Sequence, residues 1–139
     1  MIQKQLADQA IVTESKMLRD IRTGADVEVD IVIDELVGGI NIAIGIECTA
    51  ERRPATVEWV REMVGKHQDL PLNKTILVSK SGFTEEAIKK ANAHSVEAIT
   101  LDMAEHLDWQ VVVRDIWNLT LGRFNLKFWA VRLNTINLK

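Results

Sequence analysis

Two alternating runs of apolar residues meet at Gly38-Gly39, and this constrains the fold more than any other stretch of the chain. Val27, Val29, Ile31 and Ile33 alternate with Glu28, Asp30, Val32 and Asp34. Beyond the glycines, Ile40, Ile42, Ile44, Ile46 and Cys48 alternate with Asn41, Ala43, Gly45, Glu47 and Thr49. A period of two marks a half-buried strand, and a glycine pair favours a two-residue hairpin turn. Such a turn sets the register. Val37 pairs with Ile40, Ile33 with Ile44, Ile31 with Ile46 and Val29 with Cys48. The apolar faces then match across both strands, as a half-buried hairpin requires. The same register puts Asp30 opposite Glu47, Glu28 opposite Thr49 and Val32 opposite Gly45.

Side chains directly opposite one another sit with Cβ atoms about 4.5–5.5 Å apart, and like charges there destabilise a sheet. Three arrangements relieve the repulsion between Asp30 and Glu47. They can share a proton, they can hold a divalent cation through hard oxygen ligands, or both can be solvated on an open face. A bulge that breaks the register is a fourth solution. Ala43 and Gly45, on the Glu47 face, leave room for a neighbouring element or a substrate to approach.

The rest of the chain reads as alternating strands and helices. Residues 11–18 predict an earlier strand, and the short segment before them a helix remnant. Arg52-Arg53-Pro54 ends the second hairpin strand. Thr56 is the expected N-cap of a helix whose stripe is Val57, Val60, Val64 and His67, widened by Trp59 and Met63, and which ends before Pro71. Residues 75–79 form a short apolar strand, residues 81–84 a turn and cap, residues 85–93 a helix and residues 96–101 another strand. A strand, helix and strand this close together predict a parallel crossover. Alternation around residues 111–113 and 119–133 predicts a C-terminal β-hairpin. Its Arg114, Arg123, Lys127 and Arg132 suit a dimer edge as well as a DNA surface.

Composition narrows the function classes. The 139 residues carry 17 basic and 20 acidic side chains, a net charge of -3, which excludes binding by bulk positive charge. The acids crowd the first 50 residues, at Asp26, Glu28, Asp30, Asp34 and Glu35, and the basic excess begins at Arg52 and Arg53. An acidic cluster beside a basic one fits a divalent metal site next to a phosphate-binding surface, and equally a solvated strand face. One cysteine and three histidines argue against a disulfide framework and a zinc site. No apolar run reaches membrane-spanning length, and MIQKQLADQA lacks the apolar core of a secretory signal. A single cytoplasmic domain spanning 1–139 is expected, with a core over about 10–101 and a β extension over about 105–139.

Glu28-Val29-Asp30, the hairpin, and Ile44-Gly45-Ile46-Glu47-Cys48-Thr49 together resemble the core of the PD-(D/E)xK nuclease superfamily. The following helix, Val78-Ser79-Lys80-Ser81-Gly82-Phe83-Thr84, a second helix and the strand to Leu101 are similar to Mrr-like restriction endonuclease domains. The short D…ExK signal is weak by itself; joined to the Val-Ser…Gly-Phe-Thr segment it is considerably more specific. The resemblance covers roughly residues 25–101. It implies an α/β, restriction-endonuclease-like core with a central mixed β-sheet flanked by helices, and Mg²⁺-dependent (or Mn²⁺-dependent) hydrolysis of DNA phosphodiester bonds. Asp30 and Glu47 match the metal-binding acids, and the Cys48 carbonyl is a further ligand. Thr49 departs from the pattern, because it stands where the motif has lysine. Some superfamily members supply that charge from a nearby helix, and Lys66 is the candidate here; the plain alternative is a lysine bonding the last carbonyls of its helix.

Arg52 and Arg53 suit phosphate contacts, and Lys80 lies in a strand-to-helix turn that can bind an anion or merely exploit the unusual φ of Gly82. Cys48 falls on the apolar face in this register and reads as a small core residue rather than a nucleophile. Two functions follow: a metal-dependent DNA endonuclease, acting as a homodimer to cut both strands, or a degenerate module of the same fold, silenced at Thr49 and used for DNA binding or protein assembly.

Overall fold

A computed structural model describes residues 10–108 of the chain. The expected helix remnant before the first strand and the C-terminal hairpin, with its homodimer edge, lie outside the described residues. Five strands form one sheet in the order β1 (Ala10–Arg19), β2 (Asp26–Val37), β3 (Ile40–Thr49), β4 (Lys74–Ser79) and β5 (Glu97–Thr100). The first three run antiparallel; β4 pairs parallel to β3 and β5 parallel to β4. The helices α1 (Val57–His67) and α2 (Glu85–Ala93) make the two crossovers, and α3 (Leu101–His106) follows β5.

β3 joins the antiparallel and parallel halves, and it is covered on both faces. Every residue from Ile42 to Glu47 is buried. On one face Ile33, Ile42, Ile44, Ile46, Ile76, Val78 and Ile99 pack with Ala104 and Leu107. On the other, Leu77 packs with Val60 and Met63 of α1 and with Ala87 and Ala91 of α2. Fully burying a side chain of this size is worth about 1.5–3 kcal/mol, so these two layers fix β3 and β4 as the rigid centre of the molecule.

Each helix starts on a threonine. Thr56, Thr84 and Thr100 accept the backbone N–H of Trp59, Ala87 and Met103 at 3.3, 3.1 and 3.2 Å. The starts of α1 and α2 are tied together: the Ala55 N–H donates to the Gly82 carbonyl and the Thr84 N–H to the Ala55 carbonyl. Gly82 adopts φ +82°, the left-handed region the turn requires.

The expected hairpin register holds from Val37↔Ile40 to Ile31↔Ile46. It does not continue to Asp30, so the predicted Val29–Cys48 and Glu28–Thr49 pairs are absent from the ladder. The cause is a turn-over of the β1–β2 ribbon. Ser15 has φ +51°, and the β1–β2 ladder passes from Glu14↔Ile31 to Lys16↔Val29 without a Ser15–Asp30 pair. Val12 packs against Ile33 and its neighbours on one face. Past the break, Leu18, Val27 and Val29 pack with Val32 and Leu70 instead. Val29 therefore does not share a face with Ile31 and Ile33, contrary to the simple alternation. Thr100 also differs from the expected pattern: it caps α3, so Leu101 begins a helix and does not close a strand.

Candidate active site

The break in the ladder builds the site. Beyond Ile31↔Ile46, β2 stays with β1 while β3 stays with β4, and the two strands part at Asp30 and Glu47. Side chains replace the missing ladder bonds. The Asp30 N–H donates to Glu47 Oε1 at 3.2 Å, and the Cys48 N–H donates to Asp30 Oδ2 at 2.9 Å. Each carboxylate thus accepts a backbone N–H from the opposite strand, which holds both at one fork. Asp30 is exposed, whereas the Glu47 side chain is only 2% exposed.

A buried carboxylate needs compensation, and α1 supplies it. Lys66 Nζ lies 2.7 Å and His67 Nε2 2.6 Å from Glu47 Oε2. Burial pushes the Glu47 pKa up, but the hydrogen bonds from His67, Lys66 and the Asp30 N–H outweigh it and hold the carboxyl below the ordinary glutamate value. An ionised carboxylate only accepts, so His67 Nε2 carries the hydrogen. His67 Nδ1 is 2.7 Å from the Thr75 hydroxyl on β4, which donates to it when the ring is neutral. Glycine at position 45 makes room for this ring: a Cβ there would lie 3.0 Å from His67 Cε1 and 2.6 Å from Leu72 Cδ1. The neighbour expected to approach Gly45 is therefore α1 and the loop behind it.

Lys66 stands at the carboxylates, not on the last helical carbonyls. Its side chain is 28% exposed, so it bridges the buried Glu47 and the solvent. Arg52 and Arg53 are exposed in the loop between β3 and α1, and Lys80 is exposed directly after β4, its backbone N–H donating to the Thr49 carbonyl. These three basic residues follow the C-terminal ends of β3 and β4, the end of the parallel strands where Glu47 and Thr49 lie. Thr49 pairs with Ser79 in the parallel ladder and brings no charge. Cys48 is exposed rather than in the core. Although the residue reaches the surface, partial desolvation of its thiol by the surrounding chain, then the charges of Asp30 and Glu47, push it up to about 11, which suppresses the thiolate a nucleophile needs.

The rest of the acidic group disperses. Asp34 pairs with Lys16 at 2.8 Å, and Asp26 lies 4.0 Å from Arg19. His67 and Thr75 escaped the sequence reading as site residues. The available signal was a histidine inside an otherwise apolar helical stripe, which in a core needs a polar partner.

The donor set is compatible with a hard divalent cation. Two carboxylates offer hard oxygen donors, and magnesium is commonly held by one or two carboxylates, with waters and substrate oxygens completing the shell. Among the described residues no three His, Cys, Asp or Glu side chains group together as a metal cage, so those further oxygens would be needed.

The restriction endonuclease family model, Mrr_cat, matches residues 5–107. The chain belongs to this family. Its fold is accordingly that of a restriction-endonuclease-like domain. No curated protein matches the chain. Among solved structures, AF1548, a protein of unknown function, is similar with a TM-score of 0.56 at 14% identity, over 66% of this chain and 49% of that one. The DNA modification-dependent restriction endonuclease AspBHI aligns at a TM-score of 0.45 and 16% identity, over 96% of this chain and 32% of that one. The chain thus spans half or less of the length of these two structures. No helix among the described residues is long and apolar enough to cross a membrane.

Proposed function

We propose that this Mrr_cat domain is a metal-dependent endonuclease that hydrolyses DNA phosphodiester bonds. The observation that carries the reading is the fork at Asp30 and Glu47, where two cross-linked carboxylates meet a lysine delivered by α1. Asp30, Glu47 and the Cys48 carbonyl would hold Mg²⁺ or Mn²⁺. Such an ion supplies polarisation of the scissile phosphate and a bound water of lowered pKa.

The chain's own residues do the rest. The Asp30 and Cys48 N–H groups orient the two carboxylates before any substrate arrives, which lowers the reorganisation the reaction needs. Lys66 replaces the motif lysine absent at Thr49; its ammonium stabilises negative charge developing on the phosphate oxygens. Arg52, Arg53 and Lys80 contact the flanking phosphates and position the strand. Cutting both strands of a duplex takes two such sites, and a homodimer in a cytoplasmic setting would provide them.

Plasmid cleavage with Mg²⁺ or Mn²⁺ tests the reading. Wild type nicks or linearises DNA, while Asp30→Asn, Glu47→Gln and Lys66→Met lose at least about 100-fold, the scale of a charge-stabilising group in a transition state. Equal activity in all four proteins would refute the assignment. The neutral Thr49 favours a second reading, a catalytically silent module that binds DNA or assembles with protein. That module would show no carboxylate-dependent Mn²⁺ binding by calorimetry.

A further inference from the structure

Glu47 Oε2 has two partners where one would neutralise it. They differ in exposure and in how firmly they are anchored. Lys66 is charged, flexible and 28% exposed. His67 is 4% exposed, packed over Gly45 and tied at its other nitrogen to Thr75. If Lys66 were the sole partner, moving its ammonium toward a substrate phosphate would strand a buried carboxylate, a costly state. His67 removes that obstacle, since it holds Oε2 whether or not Lys66 is there.

We infer that His67, pinned by Thr75, is the positioning residue of the site. It keeps Glu47 aligned as a ligand and so releases Lys66 to serve the reacting phosphate. The inference rests on the nuclease reading and assigns the two neighbours on α1 different tasks. A cavity of about 340 Å³ lined by Val64, His67, Gln68, Thr75, His94 and Val96 sharpens it. His67 and Thr75 both line it, and the bond between them ties the ring to rigid β4 as well as to its own helix α1.

The discriminating measurement is Mn²⁺ binding by calorimetry, run beside single-turnover DNA cleavage on the same proteins. The variants are Thr75→Val, Thr75→Ser, His67→Gln and Lys66→Met. Thr75→Val keeps the volume and loses the hydroxyl, so it tests the idea even if His67 variants fold poorly. Thr75→Val and His67→Gln are expected to weaken Mn²⁺ binding about 10-fold or more, the usual cost of removing a group that orients a metal ligand, and to slow cleavage with it. Thr75→Ser restores both. Lys66→Met abolishes cleavage but leaves Mn²⁺ affinity within about 3-fold of wild type. If Thr75→Val and His67→Gln bind Mn²⁺ and cleave as wild type does, the positioning role is wrong and the nuclease reading stands. A Lys66→Met protein that loses Mn²⁺ binding as fully as His67→Gln overturns the division of tasks. Wild type that neither binds Mn²⁺ nor cuts DNA overturns the nuclease reading, and this inference with it.

Discussion

At Gly45 the chain trades a side chain for a neighbour. The His67 ring occupies the space a Cβ would need, at 3.0 Å from its Cε1, and Leu72 closes the other side at 2.6 Å. Leu72 can yield at the end of its side chain, but His67 is held at both nitrogens. Gly45→Ala should therefore cost about 1–3 kcal/mol, the range for overpacking a core, and should disturb the Glu47–His67 bond before the sheet. Urea unfolding reads the first effect and Mn²⁺ affinity the second. The same carboxylate sets an acid limit. Its folded pKa lies below the ordinary value of 4.5, so its ionised form contributes stability above that pH, which is lost as pH falls through the lowered folded value. Unfolding free energies of wild type and Glu47→Gln should differ at pH 7 and converge below about pH 4.5. A gap that stays constant down to pH 3 would mean Glu47 is not held ionised by its partners.

Among the elements, α1 places both side-chain partners of Glu47, Lys66 and His67, and its position depends on how it starts. Thr56 caps it, and the Ala55 and Thr84 bonds lock that start to α2. Thr56→Ala should cost about 1 kcal/mol, read as a lower denaturant midpoint with an unchanged slope. That cap, the hairpin at Gly38-Gly39 and α2 were legible from sequence, because each rests on a local rule: a hydroxyl before a helical stripe, a glycine pair, a run of strong helix formers. Lys66 was reachable only through the family resemblance, which implies that the helix after the motif strand can supply the charge missing at Thr49. The fork was not. Alternation continues unbroken through Asp30, and Ser15 takes its positive φ without the glycine that would announce it. Nor was α3, because Thr100 serves as the last strand residue and as a cap at once. His67 looked like one more member of the apolar stripe of α1, since its partners come from β3 and β4, far away in sequence.

At the scale of the whole molecule, a net charge of -3 conceals an arrangement by position. The carboxylates sit in the fork, and Arg52, Arg53 and Lys80 are exposed just beyond the strand ends. If these side chains neutralise phosphates, replacing Arg52 or Arg53 by alanine should weaken DNA binding for all sequences alike, and each should flatten the plot of log affinity against log salt by roughly 1. Fluorescence anisotropy at several salt concentrations measures this. The fork makes a less obvious demand. Under the nuclease reading the scissile phosphate comes to the exposed Asp30 carboxylate, and two negative charges about 4 Å apart in a partly screened setting oppose one another by about 4 kcal/mol at an effective dielectric of 20. A divalent cation between them reverses the sign. Without metal, therefore, Asp30→Asn should bind DNA more tightly than wild type, while with Mg²⁺ present the order should invert. The amide is nearly isosteric and its oxygen can still accept the Cys48 N–H, so the fold should be unchanged. Anisotropy in EDTA and then in excess Mg²⁺, at one salt concentration and before any cleavage, decides it. If Asp30→Asn and wild type bind equally in both, the phosphate does not come to the fork, and DNA engages another face of the molecule.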